Sequence, residues 1–345
     1  MQTFAYFDSG HEFPEEIVMA AGFIPRKILG DVEIGTGPAD EYLHNYFCPF
    51  ARACFTEALT KAEKEWAGIG FAHGCDATNR HYDVWRAHLE IPFFWVNTPM
   101  KIDAAARQFQ LRELENFRAG LERAYELEIS DEKLAEAIRL SNRIKEKLRE
   151  LGALRAKHDI SNLEYLETIR EVLAAPRPEA PEKLDRTLAE WRRRPPFPRA
   201  LEPILLTGSD VTSTEWMAAL EEAGLRVVRD DLSLGERYYR AAIPEGIPPL
   251  KALVEYYGTY PQPATRVPSD LRLAYLEKTL WENDLRLVVS QSLKFCEPYA
   301  IDAVWTTKRL KEKGFQVIHL EREYTPTLDQ QVITRLETFK EMACQ

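Results

Sequence analysis

Short apolar runs alternate with helix-like segments at both ends of this chain, and a block without strands separates the two alternating regions. The runs occupy residues 4–7, 67–72, 92–96, 203–208, 225–228, 285–289 and 317–320. Runs of this kind, bounded by turns and separated by helical patterns, are typical of βαβ units around a parallel sheet. The alternation therefore predicts an α/β protein with two Rossmann-like parallel-sheet domains and an intervening helical segment.

The middle of the chain is rich in Glu, Lys, Arg, Leu and Ala. Apolar residues recur at helical spacing from Leu134 to Leu151, and Asp103 and either Ser130 or Asp131 stand where side chains cap helix starts. Prolines clustered at residues 176–181 and 195–198 interrupt this pattern. We predict an N-terminal α/β domain over residues 1–100, a helical segment with solvated faces over residues 101–195, and a C-terminal α/β domain over residues 196–345.

The composition excludes several classes of partner. The net charge is -10 and the isoelectric point is about 5.4, whereas a nucleic-acid binder needs clustered Lys and Arg. The first twenty residues are acidic and lack the apolar core of a signal peptide, and no apolar run reaches membrane-spanning length. We therefore expect a cytoplasmic protein that binds neither nucleic acid nor membranes and whose five cysteines are reduced.

Three of the cysteines share a local pattern. Cys48 follows the aromatic run 42–47, Cys75 follows the run ending at residue 72, and Cys296 follows the run 285–289 and its extension. Each is predicted to lie near the carboxyl end of a strand and to precede a helix, whose N-terminus favours the thiolate. Because the carboxyl ends of parallel strands border the ligand crevice, these cysteines are expected to converge between the two α/β domains.

Thiolates suit zinc and iron-sulfur clusters. Structural zinc sites use four ligands in closely spaced pairs, and this sequence contains no CxxC pair. Three dispersed thiolates fit a cluster with one open iron better. The alternative is that these cysteines are ordinary core residues. Cys54 is interpreted as a buried filler or a spare ligand, and Cys344 as a bystander.

The sequence around these cysteines resembles the 2-hydroxyacyl-CoA dehydratase and benzoyl-CoA reductase family, which includes double-cubane cluster proteins. The resembling segments are residues 13–22, 25–26, 47–52, 74–80, 82–85, 230–237, 294–298 and 331–339. They occur in the family's order along nearly the whole chain. This ordered match is far more specific than any one of the motifs.

The resemblance implies that Cys48, Cys75 and Cys296 are ligands of an iron-sulfur cluster, either a 4Fe-4S cube or half of a shared double-cubane cluster. It implies a like or related subunit, in a homo- or heterodimer, and a separate ATP-hydrolysing iron-sulfur activator as electron donor. The substrate would be an acyl-CoA, either dehydrated as a 2-hydroxyacyl-CoA or reduced as an aromatic acyl-CoA, under anaerobic conditions. Consistent with a separate activator, the chain contains no GxxxxGK[ST] phosphate loop.

Charged residues beside the cysteines are weaker candidates. Asp76, Arg80, Lys294 and Glu297 are adjacent to the predicted ligands and are interpreted either as groups that tune the cluster or as helix-end ion pairs. His44, His73 and His81 are open candidates for ligands or proton donors. Asp231 and Arg237 are predicted either to line the crevice or to stabilise a turn.

Three other functions stay open from the sequence. One is a homodimeric double-cubane reductase of small molecules that carry no CoA. Another is a non-catalytic subunit that scaffolds a cluster-bearing partner, and the last is a binding module without a cofactor. Recognition of CoA has no short signature in this sequence, so these alternatives need structural information.

Overall fold

The computed structural model describes residues 1–30, 32–259 and 263–343, and its strands form two separate sheets of four strands each. The strands are β1 Thr3–Phe7, β2 Ile24–Lys27, β3 Trp66–Ala72, β4 Phe93–Val96, β5 Glu202–Gly208, β6 Leu225–Asp231, β7 Leu287–Leu293 and β8 Gln316–Arg322. The helices are α1 Glu15–Ala20, α2 Pro49–Glu65, α3 Asp76–His88, α4 Ala104–Tyr125, α5 Asp131–Leu154, α6 Asn162–Ala174, α7 Ala180–Trp191, α8 Thr214–Glu222, α9 Glu236–Tyr239, α10 Pro249–Thr259, α11 Asp270–Glu282, α12 Glu297–Glu312 and α13 Gln330–Ala343. Short 3-10 helices cover Gly37–Glu41 and Arg177–Glu179.

Both sheets are entirely parallel and have the same strand order. The first sheet has the order β2-β1-β3-β4 and the second has the order β6-β5-β7-β8. In each sheet, the second strand in sequence pairs on one side of the first strand, and the third strand pairs on its other side. The strand order therefore reverses between β1 and β3 and between β5 and β7. The predicted fold class, an α/β protein with two parallel-sheet domains, is confirmed.

Alternating residues of β1 show why the first sheet is buried on both faces. Phe4 and Tyr6 pack into a core with α1, α4, α5 and α10, whereas Ala5 and Phe7 pack into a core with α2 and α3. Each fully buried large side chain of this kind contributes roughly 1.5–3 kcal/mol to folding. The sheet is therefore fixed from both sides, and its carboxyl edge is left to carry polar groups.

The second sheet is covered in the same way. Successive residues of β5 point to opposite faces, because Leu206 packs with α8 and α13 while Leu205 packs with α11 and α12. The helical segment adds a core of its own, in which α5, α6 and α7 bury their apolar faces against each other and against Tyr238 and Tyr239. Its helices are thus solvated on one side only.

Helix α5 is joined to α1 by a buried ion pair. Lys145 Nζ lies 3.1 Å from Glu16 Oε1, and both side chains are fully buried. Ser141 Oγ donates to Glu16 Oε1 at 2.7 Å, and Tyr257 Oη donates to Glu16 Oε2 at 3.0 Å. The buried charges of Lys145 and Glu16 therefore depend on each other and on the hydroxyls of Ser141 and Tyr257.

Replacing Lys145 with methionine should lower the free energy of unfolding by about 3–5 kcal/mol, because it leaves the Glu16 carboxylate buried without its cation. Urea unfolding at neutral pH measures the loss. Lys278→Met is the matched control, since its pair with Glu282 is exposed and should contribute little. Equal urea midpoints for the two variants would contradict the assignment of Lys145 to a stabilising pair.

Two local predictions were wrong. The run 42–47 before Cys48 is not a strand but a turn region that follows a 3-10 helix. Strand β2 was not predicted, because Pro25 and two basic residues are unfavourable in a strand sequence. Proline is tolerated there because β2 is an edge strand, and Lys27 is buried by pairing with Asp8. In the described part of the chain, no helix has the length and apolarity to cross a membrane.

Candidate functional site

The loops that follow the four central strands meet at one cavity of about 360 Å³. Ser9 follows β1, Cys75 follows β3, Asp210 follows β5 and Cys296 follows β7. These are the positions at which each sheet reverses its strand order, where ligands bind in open α/β sheets. The two sheets therefore face one shared site with their carboxyl edges.

Cys48 reaches the same cavity by a different route. It ends the long connection between β2 and α2, and the guanidinium of Arg52 ties this connection down. Arg52 Nε donates to the carbonyl of Phe47 at 3.3 Å, Nη2 donates to the carbonyl of Asn45 at 3.4 Å, and Nη1 pairs with Asp40. Arg52, one turn into α2, thus holds the residues before Cys48 in place, a role that a strand plays before Cys75 and Cys296.

Each of the three cysteines is the N-cap residue of a helix, namely α2, α3 and α12. Burial raises the pKa of Cys48 to about 12 and also raises the pKa of Cys75 and Cys296, although backbone amides of the first helical turns act in the opposite direction. Burial therefore raises the pKa of each thiol by more than the helix N-terminus lowers it, so the predicted preference for the thiolate is not seen. A positively charged metal bound by the sulfurs would supply the missing stabilisation.

The arrangement of the thiols fits a cluster better than a single metal ion. Among the described residues, no three His, Cys, Asp or Glu side chains are placed to hold one ion. The three thiols instead border a space large enough for several atoms. Cys54 is fully buried, with Sγ 3.8 Å from the carbonyl of Ile28, and does not line the cavity. Cys344 lies outside the described residues. A thiolate-held cluster with an open position fits this arrangement.

Comparison with known proteins identifies the family of this chain. Residues 11–343 match the family model of the 2-hydroxyglutaryl-CoA dehydratase D-component. The chain belongs to this dehydratase family. Lactoyl-CoA dehydratase subunit beta of Anaerotignum propionicum is 25% identical over 338 residues, which cover 95% of this chain and 89% of the relative.

Two further relatives of this dehydratase-family chain have names that state different activities. The putative dehydratase subunit YjiM of Escherichia coli strain K12 is 24% identical over 345 residues, covering 95% of this chain and 88% of the relative. A benzoyl-CoA reductase subunit of Thauera aromatica is 23% identical over 250 residues, covering 70% of this chain and 64% of the relative. The relatives thus include both dehydratases and a reductase, and this chain is an enzyme subunit of the dehydratase or reductase kind.

The structure brings two of the four charged candidates to the cavity. Asp76 and Glu297 line it, each directly after a cysteine. Arg80 is exposed and is not among the described residues that line it, and Lys294 instead pairs with Glu323 at 2.8 Å on the surface. In this dehydratase-family chain, the first turns of α3 and α12 therefore place acidic rather than basic side chains at the cavity.

The three candidate histidines are separated in the structure. His81 is fully buried and its Nδ1 accepts a hydrogen bond from Trp85 Nε1 at 3.1 Å, while burial lowers its pKa to about 3. His73 is half-buried against the ring of Trp95, and His44 is exposed. Among the described residues, none of these histidines lines the cavity that the cysteines share.

Several residues behind the cavity were not found from the sequence. Ser233 Oγ donates to Asp210, whose carbonyl accepts from Arg322 Nη2 at 2.9 Å. Arg322 Nε donates to Gln291 Oε1 at 2.8 Å, and burial lowers the pKa of Arg322 to about 10. The polar stretch of Ser290, Gln291 and Ser292, buried between apolar residues of β7, was the one sequence signal for this network.

Asp231 and Arg237 belong to a second buried group. Arg237 Nη2 lies 3.1 Å from Asp231 Oδ1, and Arg272 Nη2 lies 2.9 Å from Asp231 Oδ2. Both guanidinium groups stand over the ring of Tyr299, at 6.0 and 5.5 Å from its centroid. Tyr299 lines the cavity, so the ion-pair group supports the cavity wall from behind.

The segment after β1 carries two glutamates with opposite pKa shifts, namely Glu12 in the loop and Glu15 at the start of α1. Burial raises the pKa of Glu12 from 4.5 to about 7, against the opposing effect of Arg266. Burial also acts on Glu15, but Arg177, whose Nη2 lies 2.8 Å from Glu15 Oε2, and other cations hold its pKa at about 2. As pH rises from 4.5 to about 7, Glu12 stays protonated in the folded chain after it has ionised in the unfolded chain. Glu12 therefore lowers stability across this window.

Glu12→Gln should raise the free energy of unfolding at pH 8 by about 1–3 kcal/mol relative to its effect at pH 4.5. The matched variant Glu15→Gln should have the opposite sign and lower stability at pH 8, because it removes a carboxylate that is ionised and paired in the folded state. Urea unfolding of the metal-free protein at both pH values measures these differences. An effect of Glu12→Gln on the free energy of unfolding that is the same at pH 8 as at pH 4.5 would contradict the raised pKa.

Proposed function

We propose that this chain is the iron-sulfur subunit of a radical-type acyl-CoA enzyme, with Cys48, Cys75 and Cys296 as the cluster ligands. The observation that carries the proposal is that these three cysteines, far apart in sequence, cap three helices around one cavity. Membership of the dehydratase family supports the assignment independently.

The reaction is proposed to be dehydration of a 2-hydroxyacyl-CoA, with reduction of an aromatic acyl-CoA as the second candidate. The two dehydratase relatives align over 95% of this chain, whereas the benzoyl-CoA reductase relative aligns over 70% of it. Dehydration therefore has the broader support. Both reactions use a thioester substrate and require a site that delivers low-potential electrons to it.

When bound, a cluster of this kind supplies single electrons at low potential to an acyl group beside it. The chain's own residues provide the surroundings. Phe47, Phe50 and Leu293 give the cavity apolar walls, which exclude water and stray protons. The amides at the starts of α2, α3 and α12 point their positive ends toward the cysteine sulfurs, which would be anionic with a cluster bound.

The proposal includes two protein partners. A like or related subunit would complete a dimer, and a separate ATP-hydrolysing iron-sulfur activator would deliver the electrons. The names of the relatives, which are subunits, support the first partner. The lack of a GxxxxGK[ST] loop in this sequence supports assigning ATP to another chain.

Anaerobic purification, with iron and sulfide quantification and electron paramagnetic resonance of the dithionite-reduced protein, tests this proposal. About four iron atoms per chain would support the cluster, and this count fits both a single 4Fe-4S cube and half of a double cubane shared by two chains. A protein that stays colourless and iron-free after anaerobic reconstitution would reject the proposal. It would leave a scaffolding or binding role as the better interpretation.

A further inference from the structure

A second cavity, of about 650 Å³, lies directly beside the cavity that the cysteines share. The two cavities have five described lining residues in common, namely Cys75, Asp76, Thr265, Pro298 and Ile301. A molecule that occupies the second cavity can therefore reach the wall on which the Cys75 thiol lies. We call this second space the side cavity.

One loop, residues 263–269, forms much of the boundary between the two cavities. It belongs to the C-terminal half of the chain but is anchored to the N-terminal sheet. The amide of Val267 donates to the carbonyl of Met100 at 2.9 Å. Arg266 Nη2 donates to the carbonyl of His73 at 2.8 Å and to Thr98 Oγ1. The boundary is thus built into the fold.

The side cavity has mainly apolar walls, provided by Met100, Val267, Ile301 and Trp305. Two polar atoms on its lining residues, Thr265 Oγ1 and Asn79 Oδ1, are buried and have no hydrogen-bond partner among the described residues. Buried polar atoms are nearly always paired in folded proteins, so these two atoms are the candidates on this wall for hydrogen bonds to a bound molecule. An apolar space with a few such groups is the usual form of a small-molecule site.

The charges of the side cavity restrict that ligand. Arg266 is the sole Arg or Lys among the described lining residues, and it is nearly fully buried, with Nη2 3.5 Å from Glu12 Oε1 as well as bonded to His73 and Thr98. Asp76 also lines this space, as does Asp302, whose charge is paired with Arg272. The adjoining cavity contributes Asp210 and Glu297 and, within the described residues, no Arg or Lys. A ligand carboxylate at the junction of the cavities would therefore meet the carboxyl groups of Asp76 and Glu297.

We propose that the side cavity binds the acyl group of the thioester substrate and selects acyl groups that carry no second carboxylate. The inference rests on the proposed function for the identity of the thioester, but its charge selectivity follows from the lining residues alone. The acyl groups that fit are short, apolar or aromatic ones. Thr265 is assigned as a specificity residue that hydrogen-bonds an oxygen of the bound acyl group at the junction of the cavities.

The test compares binding of lactoyl-CoA, benzoyl-CoA and 2-hydroxyglutaryl-CoA to the anaerobically purified full chain, by isothermal titration calorimetry without activator, so that no turnover occurs. The three probes share CoA and differ only in the acyl group. We expect lactoyl-CoA and benzoyl-CoA to bind at least about tenfold more tightly than 2-hydroxyglutaryl-CoA. Equal or tighter binding of 2-hydroxyglutaryl-CoA would overturn the proposal, and its loss in Arg266→Met would then assign the carboxylate to Arg266.

Two variants sharpen the test. Met100→Arg places a cation at a half-exposed position on the wall and should reverse the preference in favour of 2-hydroxyglutaryl-CoA. Thr265→Val should weaken lactoyl-CoA binding about tenfold. It should not lower the urea midpoint, because the hydroxyl that it removes has no partner in the described chain. An unchanged preference in Met100→Arg would place the acyl group elsewhere.

Iron content separates this inference from the proposed function. If the chain lacks iron but discriminates among the three thioesters as expected, the side-cavity proposal stands and the cluster proposal fails. If the chain holds a full cluster but binds 2-hydroxyglutaryl-CoA equally well, the cluster proposal stands and the side-cavity proposal fails. Iron should stay at the wild-type level in Met100→Arg and Thr265→Val, since neither residue is a proposed ligand.

Discussion

Cys75→Ser should leave the anaerobically purified chain with little iron or sulfide and without the low-potential paramagnetic signal, and acyl-CoA turnover with the activator should be abolished. The sulfur of Cys75 is proposed to hold one corner of the cluster, and serine provides a harder and less acidic ligand. Cys48→Ser and Cys296→Ser should have the same effect, because all three positions line the same cavity.

Cys54→Ser is the matched control for this series. It lies in the same helix that Cys48 caps, but its thiol is buried against the carbonyl of Ile28 and does not line the cavity. It should retain its iron at the wild-type level. Full iron and activity in Cys75→Ala would reject the assignment of Cys75 as a ligand, and loss of iron in Cys54→Ser would require a different ligand set.

Gly208→Ala should abolish soluble expression or lower the free energy of unfolding by about 4 kcal/mol or more. Gly208 ends β5 with φ at +131°, and a Cβ at this position would lie 1.7 Å from the carbonyl oxygen of Gln291 on the neighbouring strand β7. That oxygen belongs to the backbone in the middle of a sheet and cannot move independently. The strands that lead to Asp210 and Cys296 would have to separate.

Soluble yield and the urea midpoint measure this effect. Gly37→Ala is the control, because no atom lies within 4 Å of a Cβ placed there and its φ lies outside the left-handed region. It should unfold at the wild-type midpoint. A Gly208→Ala protein with that same midpoint would show that the ends of β5 and β7 can separate at little cost.

The central strands could be predicted from the sequence because each is a short apolar run buried on both faces. Strand β2 could not, since Pro25 and Lys27 are unfavourable in isolation, and Lys27 is stabilised by Asp8, a residue distant in sequence. The aromatic run before Cys48 had the composition of a strand. Its Leu43 instead packs into the core beside α2, while Arg52 binds the carbonyls around it.

The sequence indicated the three cysteines and two of their charged neighbours, Asp76 and Glu297, but not the residues behind the cavity. The local pattern and the family resemblance pointed to Cys48, Cys75 and Cys296 as ligands, a role that stays a prediction. Asp210 and Arg266 depend on contacts between segments far apart in the chain, so no local pattern marks them. Domain limits at residues 100 and 195 likewise stay a proposal.

Helix α10 also affects how such a protein could be divided or recombined. Although it comes between β6 and β7 in sequence, its Leu253, Tyr256 and Tyr257 belong to the core of the first sheet, and Tyr257 Oη donates to the carbonyl of Phe13 at 2.9 Å. A gene segment encoding the first sheet alone would therefore lack part of its own interior. The two halves cannot be exchanged between relatives as independent modules, and sequence changes in α10 must keep pace with those near the N-terminus.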